Sequence, residues 1–168
     1  DQYIDVIIPR GGEGLVRAVT EAATMPVLKH FKGVCHAYIE PDADLEKALD
    51  IVFNGKVQRP GVCNALECLL VHKDVAARFL PMVAEKLGAA GVEFRADATA
   101  LPLMGKAPAG SVVPQKSEDL GQEFHNLILA VRVVKDMDEA LDHIARYGSN
   151  HTEIICTNDH AKAMRFLR

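Results

Sequence analysis

Cys63 stands in the turn Arg59-Pro60-Gly61-Val62-Cys63-Asn64, between a helical pattern and a buried apolar run. A thiol held on such a turn can attack an acyl or aldehyde carbon, and its own backbone N–H can face the tetrahedral oxygen that results. A cysteine is also a small hydrophobe that packs into cores, so its position leaves both readings open. A second pattern is Arg10-Gly11-Gly12, which follows an apolar β-branched run and opens a helix. Glycine lets a ligand approach the backbone, and the free N–H groups and dipole of a helix start favour an anion. Gly-Gly pairs also occur in plain turns. Arg59, in the same turn as Cys63, has a guanidinium that could pair with a phosphate near the thiol, although loop arginines are commonly solvated.

These residues need a framework, and the apolar patterning predicts an α/β one. Tyr3 to Pro9 reads as a strand, then a glycine turn and a helix through Leu15, Val16, Val19 and Ala23. Pro26 to His30 and Val34 to Glu40 read as short strands, followed by a helix with Asp42 as N-cap and a Leu45, Ala48, Leu49, Val52, Phe53 stripe. Ala65 to Val71 reads as a buried strand, and a helix with Ala76, Phe79, Leu80, Val83 and Leu87 inward ends near Gly88. Val92 to Arg95 is a short strand, and Ala96 to Gly121 reads as loop with short helical turns. Leu127 to Val134 is apolar almost throughout, as a strand covered on both faces must be, which predicts a parallel sheet. Asp136 to Tyr147 reads as a helix, Thr152 to Cys156 as a strand, and Asp159 onward as helix. No internal repeat or low-complexity segment interrupts the pattern.

Composition excludes several function classes. The chain has 168 residues, 49% of them hydrophobic, which is enough to bury roughly 70% of the unfolded surface in one core. No apolar run approaches the ~20 residues of a membrane span, and DQYIDVIIPRGG lacks the basic segment and cleavage site of a signal peptide. A net charge of −4, with 19 Lys plus Arg against 23 Asp plus Glu, argues against a nucleic-acid partner. Cys35, Cys63, Cys68 and Cys156 form no CxxC pair and no zinc-type spacing. Reduced thiols in a reducing, cytoplasmic compartment are therefore expected, with no metal.

The stretch from Phe53 to His72, with Cys63 at its centre, resembles the nucleophile segment of the aldehyde dehydrogenase superfamily. Within that superfamily it is similar to the gamma-glutamyl phosphate reductases. The words that carry the likeness are Ile8-Pro9-Arg10-Gly11-Gly12, Gly33-Val34-Cys35-His36, Gln58-Arg59-Pro60 through Cys63-Asn64-Ala65, and Tyr147-Gly148-Ser149 with His151-Thr152-Glu153. They run in the family's order over nearly the whole chain. The resemblance implies NADPH-dependent reduction of L-glutamyl 5-phosphate to glutamate 5-semialdehyde, in proline biosynthesis, with Cys63 as the nucleophile. It implies that Arg10, Gly11 and Gly12 meet the NADP phosphates, that Glu123 holds the nicotinamide ribose, and that Arg59 and Asn64 face the acyl phosphate. His151 and Thr152 are further candidates for lining the site, and the other histidines read as structural or surface groups.

One departure from the wider superfamily is informative. Hydrolytic members carry a glutamate base whose place, counted back from Asp42-Ala43-Asp44, falls here near His30, and no Glu occurs between Glu21 and Glu40. Water needs such a base, whereas phosphate as acyl acceptor does not, so the gap favours acyl-phosphate chemistry. The fold implied is a three-layer domain of the aldehyde dehydrogenase catalytic type, with a mainly parallel twisted sheet. Residues 1–30 would be a remnant of the cofactor-binding domain and 31–168 a catalytic domain incomplete at its C-terminus. Members are much longer, so the chain is expected to be inactive alone and its full-length form a homo-oligomer. A coenzyme A-dependent acylating relative and a non-catalytic α/β module are the alternatives.

Overall fold

The structure is a computed structural model that describes residues 3–168. Asp1 and Gln2, with which the expected 1–30 unit begins, lie outside the described residues. Six strands form one sheet in the order β4-β3-β5-β2-β1-β6, and every pairing is parallel. The strands are β1 (Cys35–Ile39), β2 (Leu66–His72), β3 (Glu93–Ala96), β4 (Val112–Pro114), β5 (Ile128–Val134) and β6 (Glu153–Cys156). The helices are α1 (Glu13–Ala22), α2 (Leu45–Val57), α3 (Lys73–Ala89), α4 (Met137–Tyr147) and α5 (His160–Phe166).

Side chains alternate across a strand, so β2 serves two cores at once. Leu69 and Val71 face one core with Val52 of α2 and Phe79, Leu80 and Val83 of α3. Cys68 and Leu70 face the other, with Tyr38, Ala130, and Met137 and Ala140 of α4. Phe166 of α5 packs against that second core. The helices therefore cover both faces, which makes the predicted three-layer α/β fold. Among the described residues no helix is long and apolar enough to cross a membrane, and all four cysteines are free thiols.

Four expectations need correction. Tyr3 to Pro9 and Pro26 to His30 are not strands: a single parallel bridge joins Ile7 to Val27. A strand needs a row of backbone partners, and these two segments meet at one residue, leaving Tyr3 93%, Ile4 53% and Ile8 58% exposed. Asp42 does not cap α2. Asp44 does, accepting from the Lys47 N–H at 3.2 Å, while Asp42 accepts from Thr157 Oγ1 and the Asn158 N–H, both at 2.9 Å. The 96–121 stretch holds the expected turns, at Leu101–Met104 and Ser117–Asp119, but also β4. Val112 and Val113 supply only a short β-branched signal, and β4 exists because β3 offers its free edge.

Candidate active site

In the sheet, β5, β2, β1 and β6 are successive neighbours. The segments that enter them, residues 122–127, 58–65, 30–34 and 148–152, therefore meet at the amino-terminal edge of the sheet. Ligand sites of open α/β sheets usually gather at the carboxyl ends; here the functional words of the sequence converge at the opposite edge. A cavity of about 470 Å³ opens there, walled by Arg10, Gly11, Gly12, Cys63 and Glu123, together with His30, Lys32 and His125.

The Cys63 loop is held by close backbone contact. Gly33 packs so tightly that an added Cβ would lie 1.9 Å from the Cys63 carbonyl oxygen, so only hydrogen fits there. The Cys35 thiol donates to that same carbonyl at 3.3 Å. Ser149 Oγ accepts from the Val34 N–H at 2.9 Å, and Glu153 accepts from the His36 N–H at 2.9 Å. The Gly33-Val34-Cys35-His36 word thus braces the Cys63 turn, and the Ser149 to Glu153 segment braces that word in turn.

Cys63 itself is half-buried, whereas Cys35, Cys68 and Cys156 are buried. Its sulfur lies with a ring nitrogen of His30 and one of His151 in a group whose atoms are all within 4.8 Å of one another. The two imidazoles meet edge to face, 5.1 Å between centroids, and His151 Nδ1 lies 2.9 Å from Thr152 Oγ1. A thiol flanked by two imidazoles can pass its proton to nitrogen and act as thiolate. Burial pushes the Cys35 and Cys156 thiols up to about 11, Glu153 adding to the effect at Cys35.

On the facing wall, α1 begins at Gly12 with no side-chain cap, and Gly11 has φ +150°. The first-turn N–H groups and Arg10 make this wall suited to an anion. The Glu123 side chain is 9% exposed and 3.4 Å from His125 Nε2, and His125 holds a positive φ of 54°, a strained conformation for a non-glycine. Behind this wall Lys56 and Glu67 form a buried ion pair at 2.7 Å, and the Glu67 carboxylate faces the backbone amides of Phe124 and His125. Burial pushes Glu67 up and Lys56 down, so each stays charged only through the other.

Of the residues singled out in the sequence, Arg10, Gly11, Gly12, Cys63 and Glu123 share one cavity. Arg59 and Asn64 do not join them. They wall a second cavity of about 480 Å³ with Gln58, Val62 and Thr152, so one turn serves two depressions. The sequence reading leaves His30 among structural histidines, yet the structure sets it beside the thiol. The count back from Asp42-Ala43-Asp44 was its only signal. Lys32 and His125 carried none beyond closeness to Gly33 and Glu123.

The aldehyde dehydrogenase family model matches residues 1–112. Over all 168 residues the chain is 90% identical to the gamma-glutamyl phosphate reductase of Desulfovibrio desulfuricans, covering 40% of that protein. It is 68% identical to that of Nitratidesulfovibrio vulgaris, covering 39% of it. The crystal structure of the Thermotoga maritima gamma-glutamyl phosphate reductase superposes with a TM-score of 0.92 at 42% identity, over 99% of this chain and 39% of that one. The chain thus spans about two-fifths of the length of these relatives. A family model that covers residues 1–112, and the convergence of Cys63, the Arg10 turn and Glu123 on one cavity, place the chain in the aldehyde dehydrogenase family.

Proposed function

We propose that this chain is the thiol-bearing part of a reductase that converts L-glutamyl 5-phosphate to L-glutamate 5-semialdehyde with NADPH, in proline biosynthesis. The observation that carries the reading is the single cavity in which Cys63 faces the Arg10-Gly11-Gly12 helix start and Glu123. The uncapped start of α1 and Arg10 suit a nucleotide's phosphates, and the Glu123 carboxylate suits the two hydroxyls of a ribose. NADPH bound there supplies the hydride that takes the acyl group to the aldehyde level.

The protein's own part is covalent catalysis. His151 or His30 takes the Cys63 proton. The thiolate attacks the acyl carbon, the carbon–oxygen bond to phosphate breaks, and a thioester remains on Cys63. The Cys63 N–H stabilises the oxyanion on the way in and out. After reduction, the sulfur leaves as the thiohemiacetal collapses and the imidazole returns the proton. Arg59 draws the phosphate toward the outer side of the turn. Residues 1–30 act as a piece of the cofactor-binding domain, and the exposed Tyr3, Ile4 and Ile8 are covered by the rest of that domain.

The test is a steady-state assay of the full-length protein in the oxidative direction, with glutamate 5-semialdehyde, phosphate and NADP. Cys63→Ala abolishes turnover, and omitting phosphate stops the wild type. Rapid phosphate-independent release of free glutamate would refute the acyl-phosphate reading. The isolated 168 residues are expected to be inactive.

A further inference from the structure

Below the catalytic edge, the parallel register sets one row of side chains across the sheet on the α4 side. His36 of β1 pairs with Cys68 of β2 on one flank and with Glu153 of β6 on the other. Neighbouring strands are about 4.8 Å apart, so these three groups lie side by side. His143 of α4 closes over them, its ring 5.4 Å from that of His36 and its Nε2 3.7 Å from Cys68 Sγ. His36, Cys68 and His143 are all buried, and one ligand atom from each lies within 4.8 Å of the other two.

We propose that His36, Cys68 and His143 bind a borderline divalent metal ion, zinc or its analogue cobalt. His36 is 1% exposed, and its Nε2 has no hydrogen-bond partner. Its Nδ1 sits 3.0 Å from Glu153 Oε2. A carboxylate that accepts a hydrogen bond from Nδ1–H keeps the proton on that nitrogen, leaves the Nε2 lone pair free and fixes the ring, as in many histidine–zinc sites. Zinc bonds of about 2.3 Å to sulfur and 2.0 Å to nitrogen, at a tetrahedral angle, place S and N about 3.5 Å apart. The Cys68 to His143 distance matches. Charge also closes: the Cys68 thiolate and the Glu153 carboxylate together balance the dication. His143 is in addition a wall of a cavity of about 240 Å³ lined by Arg132, Glu139, Asp142, Arg146 and Tyr147. That cavity offers a way in and room for a water or small anion as fourth ligand. Residues 36, 68 and 143 show no metal-ligand spacing in the sequence; strand register alone brings them together.

The test is cobalt titration of the reduced, metal-free full chain, followed by absorption. The wild type should develop a thiolate-to-cobalt charge-transfer band with strong tetrahedral d–d bands, saturating at one equivalent and displaced by zinc. Cys68→Ala removes the charge-transfer band, Cys63→Ala keeps it, and Glu153→Gln weakens binding by about 10- to 100-fold. Circular dichroism reports whether each variant is folded. Should Cys68→Ala fail to fold, His143→Gln, which removes a helix ligand near the surface, takes its place and must weaken binding at least about tenfold. The absence of a saturable band in folded wild type would overturn the proposal. So would a band that Cys63→Ala removes, because the ion would then sit at the group of exposed His30 with half-buried Cys63 and His151.

Discussion

Gly33→Ala should disable the site without touching any group that reacts. The added Cβ would meet the Cys63 carbonyl oxygen at 1.9 Å, its carbon at 2.7 Å and its Cα at 2.9 Å, all of them backbone. Real Cβ atoms essentially never approach within 3.0 Å, so the two loops must separate by about 1.1 Å. No flexible side-chain tip is present to yield. A reacting group displaced by 1 Å can lose about 10²-fold in rate, roughly 2.7 kcal/mol of transition-state stabilisation. The strain itself costs about 1–3 kcal/mol of stability, the usual range for overpacking. The assay is kcat/KM of the full-length protein with semialdehyde, phosphate and NADP, beside the alkylation rate of Cys63. Gly105→Ala is the control: its Cβ would meet nothing within 4 Å. A folded Gly33→Ala variant that works within about twofold of wild type would refute the claim that Gly33 positions the Cys63 thiol.

Iodoacetamide near pH 8 should modify Cys63 well before Cys35, Cys68 and Cys156, read by peptide mass spectrometry. Burial and a pKa near 11 leave Cys35 and Cys156 about one part in a thousand thiolate at that pH. Lys56→Met should destabilise the fold by about 3–5 kcal/mol, because Glu67 is 1% exposed and would lose the cation that keeps its buried carboxylate charged. The double variant Lys56→Met with Glu67→Leu should recover most of that loss in a urea melt, and equal instability of single and double variants would count against the pair. Burial works against a charge on Asp42, but hydrogen bonds from Lys162, Thr157 and the Asn158 N–H hold its pKa down to about 2. A depressed carboxylate adds stability above its ordinary value near 3.8 and loses it as pH falls through 2. Asp42 is a third exposed, so that contribution is about 1 kcal/mol after screening. Asp42→Asn should therefore flatten stability between about pH 4 and pH 2, while an unchanged slope would place the acid sensitivity elsewhere.

Most elements were legible because local pattern and tertiary burial agree in them. Leu127 to Val134 looked buried on both faces, and β5 lies between β3 and β2 with cores on either side. Asp136 and Asp159 open two helices that the pattern predicts, and their side chains cap them, accepting from the N–H of Glu139 and from those of Ala161 and Lys162. The failures arose where a residue's role depends on distant chain. Asp42 has the N-cap chemistry of Asp44, but Thr157, Asn158 and Lys162 reach it from 115 to 120 residues away. Tyr3 to Pro9 has strand composition yet pairs through a single bridge, Ile7 to Val27.

The same distinction separates what was visible at the site from what was not. Cys63 and Arg10-Gly11-Gly12 could be singled out because their own neighbours in sequence suggest a chemistry, and Glu123 because the family resemblance points to it. His30, Gly33 and the His36, Cys68, His143 row could not, because their roles follow from strand order. Once β6, β1, β2 and β5 lie side by side in parallel, four entering segments must share one edge, and side chains at matching register must share one row. The edge brings His30 and His151 to the thiol, while the row brings His36 between Cys68 and Glu153. A one-residue slip of β1 against β2 would turn His36 to the opposite face, where Ala37 and Leu69 now pack. It would also carry Gly33 away from Cys63, so the register that builds the buried histidine row is the register that sets the Cys63 loop.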